Sequence, residues 1–446
     1  MIVILGGGLA GLATAWHLAR RLPDVPRIVL EKEQSPGGLC RSRRRDGFTF
    51  DYTGHYLHLR EPETIAFVED LLGDELVEID RVARIHSHGA LLEFPFQAHL
   101  HGLPAEVVAR CVLDFVSASR EDEPPRDGRM PFGAWARAVF GDAIAEAFML
   151  PYNRKLFRRE PDEITAEWVA WSVPRPSLEQ VIRGALGVRN EGMGYNPRFR
   201  YPRGGGIGVL PQRLAGRVAA DLELGAEVVS VDARERRVVL ADGRVIAYER
   251  LVSTLPLPFL LQRIRGLGGC PSRGTSLAEM AGRLRWTRVV ELGLGIARDP
   301  VAGGAHWIYF PEPEYRFYRV GFPSNVCRAM APAGCSSLSV EFAVGDREEL
   351  PPEQELLDAA REGLERAGII EPGEPFVHVD RAVLDPAYVL FDEARTPVVE
   401  AAMSRLAEAG IESIGRFGAW TYSYMERALI DGREAAERVA RSFCRT

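Results

Sequence analysis

The sequence predicts an α/β protein in which a nucleotide-binding domain carries an inserted, mainly helical domain and a second domain built on an antiparallel sheet. Three observations predict it. Four apolar residues, Ile2 to Leu5, run into glycines at GxGxxG spacing, Gly6, Gly8 and Gly11, and then into an Ala/Leu-rich helical run to about Arg21. Strand-and-glycine units of the same kind return at 226–256 and 411–418, far along the chain. Between them, strand-type runs at Val289 to Ala297, Trp307 to Phe310, Phe317 to Phe322 and Leu338 to Val344 follow one another without intervening helices. The first two features describe a Rossmann-type unit, the third a separate sheet.

Each glycine of the opening turn has a physical task. Gly6 permits the tight strand-to-helix turn, Gly8 lets a pyrophosphate approach the backbone, and Gly11 lets the helix lie close to the strand. The helix N-terminus then offers open amides and a positive dipole end to the phosphates. A second strand, Arg27 to Leu30, ends on Glu31, where a carboxylate would accept hydrogen bonds from a ribose. A second glycine pair follows in Gln34-Ser35-Pro36-Gly37-Gly38-Leu39-Cys40-Arg41-Ser42, and a plain nicotinamide-binding fold has no need of it.

Composition bounds the rest. At 446 residues the chain exceeds one ordinary core, and its 46% hydrophobic and 26% charged residues are those of a soluble globular protein. No apolar run approaches the ~20 residues of a spanning helix, and the glycine-interrupted start lacks the basic flank of a signal peptide, so a cytoplasmic protein is expected. The six cysteines (Cys40, Cys111, Cys270, Cys327, Cys335 and Cys444) have no metal-ligand spacing and are expected to be reduced, with no metal bound. A net charge of -7 argues against general nucleic-acid binding. Any anionic ligand must therefore be held by local arginines. Arg-rich spots occur at Arg41 to Arg45, read first as a solvated face, and at Arg198 to Arg203.

Along the chain, the alternating strand Phe48 to Tyr52 leads to Gly54-His55. The imidazole is either presented to a cavity or bonded to strand neighbours. Residues 63 to 79 read as an amphipathic helix, and Val82 to Phe94 as a strand pair. Phe94-Pro95-Phe96-Gln97 could form a slot for a flat base, with Gln97 as polar reader, or an ordinary core turn. Helices are expected over Ala105 to Ser119, Phe132 to Leu150 and Ser177 to Leu186, with an exposed loop at 120–128. At Pro151-Tyr152-Asn153-Arg154-Lys155-Leu156-Phe157 a helix is expected to end in a polar-aromatic cluster typical of a cavity wall. Asn196 to Gly208 is a glycine-rich turn before a helix at Val209 to Asp221. Later helices are expected at Pro352 to Ala367, Val398 to Ala409 and Met425 to Phe443.

The start of the chain, with both glycine runs, resembles the FAD-binding start of the flavoprotein group that includes amine oxidases, protoporphyrinogen oxidase and UDP-galactopyranose mutase. The resemblance implies FAD, with NAD as the runner-up cofactor. Later segments are similar to the UDP-galactopyranose mutase family in islands from residue 2 to about 440: Phe199-Arg200-Tyr201-Pro202, Tyr309-Phe310-Pro311-Glu312, Phe317-Tyr318-Arg319 with Asn325 following, Gly54-His55, Gln97 and Pro151 to Lys155. Arg200 and Arg319 are then the implied diphosphate clamp, assisted by Tyr309, and His55 shapes the flavin environment. Gln97, Asn153, Phe157, Asn325, Tyr388 and Tyr422 are the other implied substrate residues. The implied cofactor contacts are Gly6, Gly8, Gly11 and Glu31 at the first turn, Gly37, Gly38 and Arg41 at the second, then Val229, Gly415, Arg416 and Glu426. After Tyr422 the family carries an asparagine and an Asp-His pair, whereas this chain has Ser423-Tyr424-Met425-Glu426. Phe157 stands where the family usually has tryptophan.

The expected organisation is an FAD-binding domain from 1–62, 200–262 and 396–446, a helical substrate domain at 96–199, and a sheet-containing substrate domain from 63–95 and 263–395. A buried diphosphate carries about two negative charges, which planar arginines can offset by bidentate bonds. The expected function is thus a nucleotide-sugar pyranose/furanose mutase that uses reduced FAD as a covalent catalyst. An FAD-dependent oxidoreductase of the amine oxidase or protoporphyrinogen oxidase type is the alternative, and a flavin-free binding module is disfavoured by the intact glycine framework. Reduction is expected from NAD(P)H visiting the same cleft or from another protein. A nucleotide-diphosphate sugar is the expected partner, with homo-oligomerisation left open.

Overall fold

The computed structural model describes residues 1–121, 128–169, 173–188, 190, 197–267 and 276–443. The tip of the loop expected at 120–128, Asn196, Cys270 and Cys444 lie outside the described residues. The four described cysteines are free thiols, and Cys40, Cys111 and Cys327 are buried.

A five-stranded parallel sheet is assembled from distant parts of the chain, in the order Ile411–Ser413, Arg250–Ser253, Ile2–Leu5, Arg27–Glu31, Leu222–Leu224. Ile2 to Leu5 are all buried, as a central parallel strand covered on both faces must be. The helix Leu9–Arg21 covers this sheet, and the last helix, Met425–Phe443, packs on it. A Cβ on Gly432 would stand 2.5 Å from the Ala10 carbonyl oxygen and 2.7 Å from the Ala13 Cβ. Glycine there is what lets the two helices touch.

The second sheet has seven strands, in the order Phe376–Val389, Trp286–Ile296, Ser336–Gly345, Arg319–Gly321, Trp307–Tyr309, Ala83–Ser87, Ala90–Glu93. Its pairings are antiparallel except between Trp307–Tyr309 and Ala83–Ile85, which run parallel. The predicted fold class is therefore the observed one.

Several local expectations differ. The helix expected over 63–79 stops at Leu72, because Gly73 takes a positive φ and the chain turns into the strand Leu76–Asp80. That strand pairs with Arg198–Pro202. The helix expected over Phe132 to Leu150 breaks at Gly141 (φ +79); a second helical run then goes from Asp142 to Phe157 through a π-helical turn at Ala145–Met149, and Pro151 follows directly on that wide turn. The strand Phe376–Val389 has no counterpart in the sequence reading. Its Asp380, Arg381 and Pro386 suit the edge position it occupies and hide its strand character.

Gly432→Val should destabilise the protein by roughly 1–3 kcal/mol through overpacking. Gly216→Ala, in a helix with open space within 4 Å of where a Cβ would stand, should be neutral or stabilising by up to about 1 kcal/mol. Thermal unfolding of the two variants checks the pair.

Candidate active site

A cavity of about 330 Å³ lies between the nucleotide-binding domain and one face of the seven-stranded sheet. The first contributes Leu39, Asp51, His55 and Arg416, and the second contributes Glu291, Trp307, Tyr309, Arg319, Ser339 and Glu341. Sheet register explains the second group. Glu291 is paired with Glu341, Glu341 with Arg319, and Arg319 with Tyr309, so these four side chains stand in one rank across the sheet. Residues two positions along, Ser339, Gly321 and Trp307, line the same cavity.

Arg319 is held by a bidentate bond: Nε donates to Glu341 Oε1 at 3.0 Å and Nη2 to Oε2 at 2.9 Å. The Tyr318 hydroxyl donates to the same carboxylate. Burial alone would lower the Arg319 pKa, but Glu341 outweighs it and holds the guanidinium charged well above its ordinary range. Nη1 makes no hydrogen bond among the described residues and is the donor left for a ligand. Glu291 accepts from Ser339 Oγ at 2.6 Å and from Arg43 Nη2 at 3.0 Å. Asp51, on the nucleotide-binding side, accepts from Ser42 Oγ at 2.6 Å, Tyr201 Oη at 2.5 Å and the Ile207 amide at 3.0 Å. Burial nonetheless pushes Asp51 up to about 6.

His55 and Arg416 close the cavity from the other side. The Nδ1 of His55 and the Nε of Arg416 are buried without a hydrogen-bond partner. Arg416 donates from Nη1 to the Ser423 carbonyl at 2.9 Å and from Nη2 to the Ala387 carbonyl at 3.1 Å. Its guanidinium carbon lies 5.7, 5.5 and 5.4 Å from the ring centres of Tyr388, Phe417 and Tyr422. Burial lowers its pKa, and no carboxylate is bonded to it among the described residues. For His55, burial and then the charges of Arg416 and Arg319 lower the pKa to about 4.

The glycine turns meet the shape a dinucleotide needs. Gly8 and Gly37 form a bridge, the Gly37 amide donates to the Gly7 carbonyl at 2.8 Å, and a Cβ on Gly38 would sit 3.5 Å from the Gly8 Cα. The two backbones face each other with no side chain between them. A Cβ on Gly11 would collide with the Gly6 carbonyl oxygen. Glu31 accepts from the Gly7 amide at 2.7 Å and the Glu33 amide at 2.9 Å, so its carboxylate braces the turn and keeps lone pairs for a ribose. Arg41 Nε donates to the Gly38 carbonyl at 2.9 Å. A bulge between Val228 and Ser230 leaves Val229 outside the strand register. This cradle and the unpaired Arg416 Nε fit FAD.

The remaining sequence-predicted residues divide. Tyr309 and Tyr388 line the cavity. Phe157 and Tyr422 stack behind it, with ring centres 6.3 Å apart. The structure does not bring Arg200 to Arg319. Strand alternation turns Phe199 and Tyr201 inward, and the Arg200 guanidinium outward to Glu69 at 2.8 Å. Gln97 donates to the Pro174 carbonyl at 2.6 Å, Asn153 to the Met149 carbonyl at 2.7 Å, and Asn325 to the Ala305 carbonyl at 2.7 Å; none lines the cavity. Gly415, at φ +77, starts the turn that carries Arg416. Glu426 accepts from the Arg60 and Glu61 amides and so ties the last helix to the loop after His58.

Sequence reading missed Arg43 and four residues that line the cavity, Asp51, Glu291, Glu341 and Arg81, the last with its guanidinium carbon 5.6 Å from the Trp307 ring centre. An acid inside the apolar runs Val289-Val290-Glu291-Leu292 and Ser339-Val340-Glu341-Phe342 is a signal that could have found two of them, since a buried carboxylate needs a partner. The solvated-face reading of Arg41 to Arg45 holds for Arg45, 71% exposed, and fails for Arg43, 17% exposed.

A sequence model of flavin containing amine oxidoreductases matches residues 9–440. A lycopene-forming phytoene desaturase of Pseudescherichia vulneris is 25% identical over 352 residues, covering 70% of this chain and 67% of the desaturase. A coproporphyrinogen III oxidase of Propionibacterium freudenreichii is 28% identical over 180 residues, covering 38% of this chain and 34% of that enzyme. Among solved structures, a reduced UDP-galactopyranose mutase superposes with a TM-score of 0.90 at 28% identity, covering 98% of this chain and 93% of that one.

A histidine lowered to about 4 is neutral at pH 7, and the stability it contributes is complete above about pH 6.5 and lost as the pH falls through about 4. An NMR titration of labelled histidines should find His55 neutral from about pH 5.5 to 8. A midpoint above about pH 6 would contradict the burial argument.

Proposed function

The chain belongs to the family of flavin-containing amine oxidoreductases, and from that premise we propose that it is a nucleotide-sugar pyranose/furanose mutase working with reduced FAD. The observation that carries this reading is Arg319. It is a permanently charged arginine on the cavity floor, braced by Glu341, with Nη1 left over and Tyr309 beside it. Such a group suits a diphosphate, whose desolvation a rigid guanidinium offsets. The likeness to UDP-galactopyranose mutase over nearly the whole chain supports the same reading.

When bound, reduced FAD supplies a nucleophile toward the anomeric carbon, with no net redox change. The protein's part is position and charge. Arg319 and Arg81 hold the leaving diphosphate near the sugar so that it can return, and Tyr309 and Tyr388 wall the chamber. Neutral His55 and cationic Arg416 face the cofactor side, where Arg416 favours anionic character. Arg200 has no part in this arrangement. NAD(P)H, as reductant, would enter the same cavity.

Two observations favour a second reading, an FAD-dependent oxidoreductase: Glu341 already neutralises Arg319, and the desaturase and porphyrinogen oxidase relatives carry names of that kind.

Anaerobic reduction of the purified protein, followed by UDP-, GDP- and dTDP-sugars, should yield isomers of unchanged mass. The oxidised protein should yield none. Bleaching of the flavin by amines or other reductants, with every sugar left unconverted, would transfer the assignment to the oxidoreductase. Arg319→Ala should lower kcat/KM at least ~100-fold, about 2.7 kcal/mol, with flavin absorbance unchanged. Arg200→Ala, paired with Glu69 outside the cavity, should stay within about threefold of the wild type.

A further inference from the structure

Arg43 leaves the nucleotide-binding domain at the strand Ser42–Arg45 and crosses to the seven-stranded sheet. Its Nε donates to Asp380 at 2.6 Å and its Nη2 to Glu291 at 3.0 Å. The Glu291 side chain is 1% exposed. On its other flank, the Arg43 guanidinium lies 4.7 Å from the Tyr52 ring centre, and Arg41 lies 4.9 Å from the same ring. Arg43 does not line the cavity, whereas Glu291 does.

Glu291 stands directly opposite Glu341 on the neighbouring strand. Like charges in that position repel, and burial strengthens the repulsion. Glu341 is matched by Arg319 and Glu291 by Arg43, so each carboxylate has an arginine. Ser339 also donates to Glu291, and Asp51 faces the same region from the nucleotide-binding side. We propose that Arg43 is a positioning residue for Arg319: by taking Glu291 into an ion pair, it leaves Arg319 to Glu341 alone and keeps Nη1 available to an anionic ligand. Without Arg43, one arginine faces two buried carboxylates. Arg319 is then shared between them wherever Glu291 stays ionised. The role as an anion site rests on the function proposed above. The coupling of Arg43 to Arg319 does not.

The test uses the FAD-loaded protein with UDP as probe, comparing wild type, Arg43→Gln, Arg43→Lys and the double variant Arg43→Gln/Glu291→Gln. Arg43→Gln should bind UDP about tenfold more weakly or worse at pH 8, with the deficit shrinking as the pH is lowered, because burial raises the Glu291 pKa. Arg43→Lys should keep most of the affinity. The double variant, with both charges gone, should return to within about threefold of the wild type. Wild-type affinity in Arg43→Gln at every pH, or a double variant as weak as the single one, would overturn the proposal. If the wild type binds no UDP, the mutase reading fails separately, and thermal unfolding then decides. Non-additive shifts for Arg43→Gln and Arg319→Gln, with a deficit that Glu291→Gln removes, sustain the coupling; additive, pH-independent shifts overturn it.

Discussion

Two carboxylates, Glu291 and Glu341, face one another across neighbouring strands of a buried sheet, and the site exists because each meets an arginine from a different direction. Removing either carboxylate from water costs several kcal/mol unless it is paired and hydrogen-bonded. Arg319, one strand further along, meets that cost for Glu341 and becomes rigid in doing so. Arg43, arriving from the nucleotide-binding domain, meets it for Glu291. The electrostatics of the floor therefore require the two domains to be in contact. The cavity is where His55 and Arg416 come within reach of the sheet's charged rank.

The fold was legible because its main signals are local. Apolar strand, glycine spacing, helix and terminal acid occur within thirty-one residues of the start, and the antiparallel sheet announced itself through successive β-rich runs. The facing glycine turns were legible for the same reason, since glycine has few other uses where two backbones must face each other. Element ends were less legible: Gly73 and Gly141 stop helices that apolar periodicity carried onward.

The charged floor was not legible. Which acid faces which arginine is set by register between strands separated by tens of residues, and no local window contains it. Arg200 shows the same limit from the other side. Its motif stands intact beside Tyr201, but a strand sends adjacent side chains to opposite faces, so the tyrosine meets Asp51 while the arginine meets Glu69. Arg43 looked like part of a surface run because nothing near it in sequence marks its partners. It shares a strand face with Arg45, but it meets Glu291 and Asp380 while Arg45, at the strand's end, stays in water.

The parallel sheet draws its strands from both extremes of the chain, Ile2–Leu5 at its centre and Ile411–Ser413 at its edge, and Gly432 seats the final helix on the first. This has a consequence for synthesis. A nascent chain that has left the ribosome up to the middle of its length holds the glycine turn but lacks the strand and helix that finish it. The sheet and its helix layer can be completed only after Met425–Phe443 has emerged, so a compartment able to hold a flavin waits for the longest-range contacts to form.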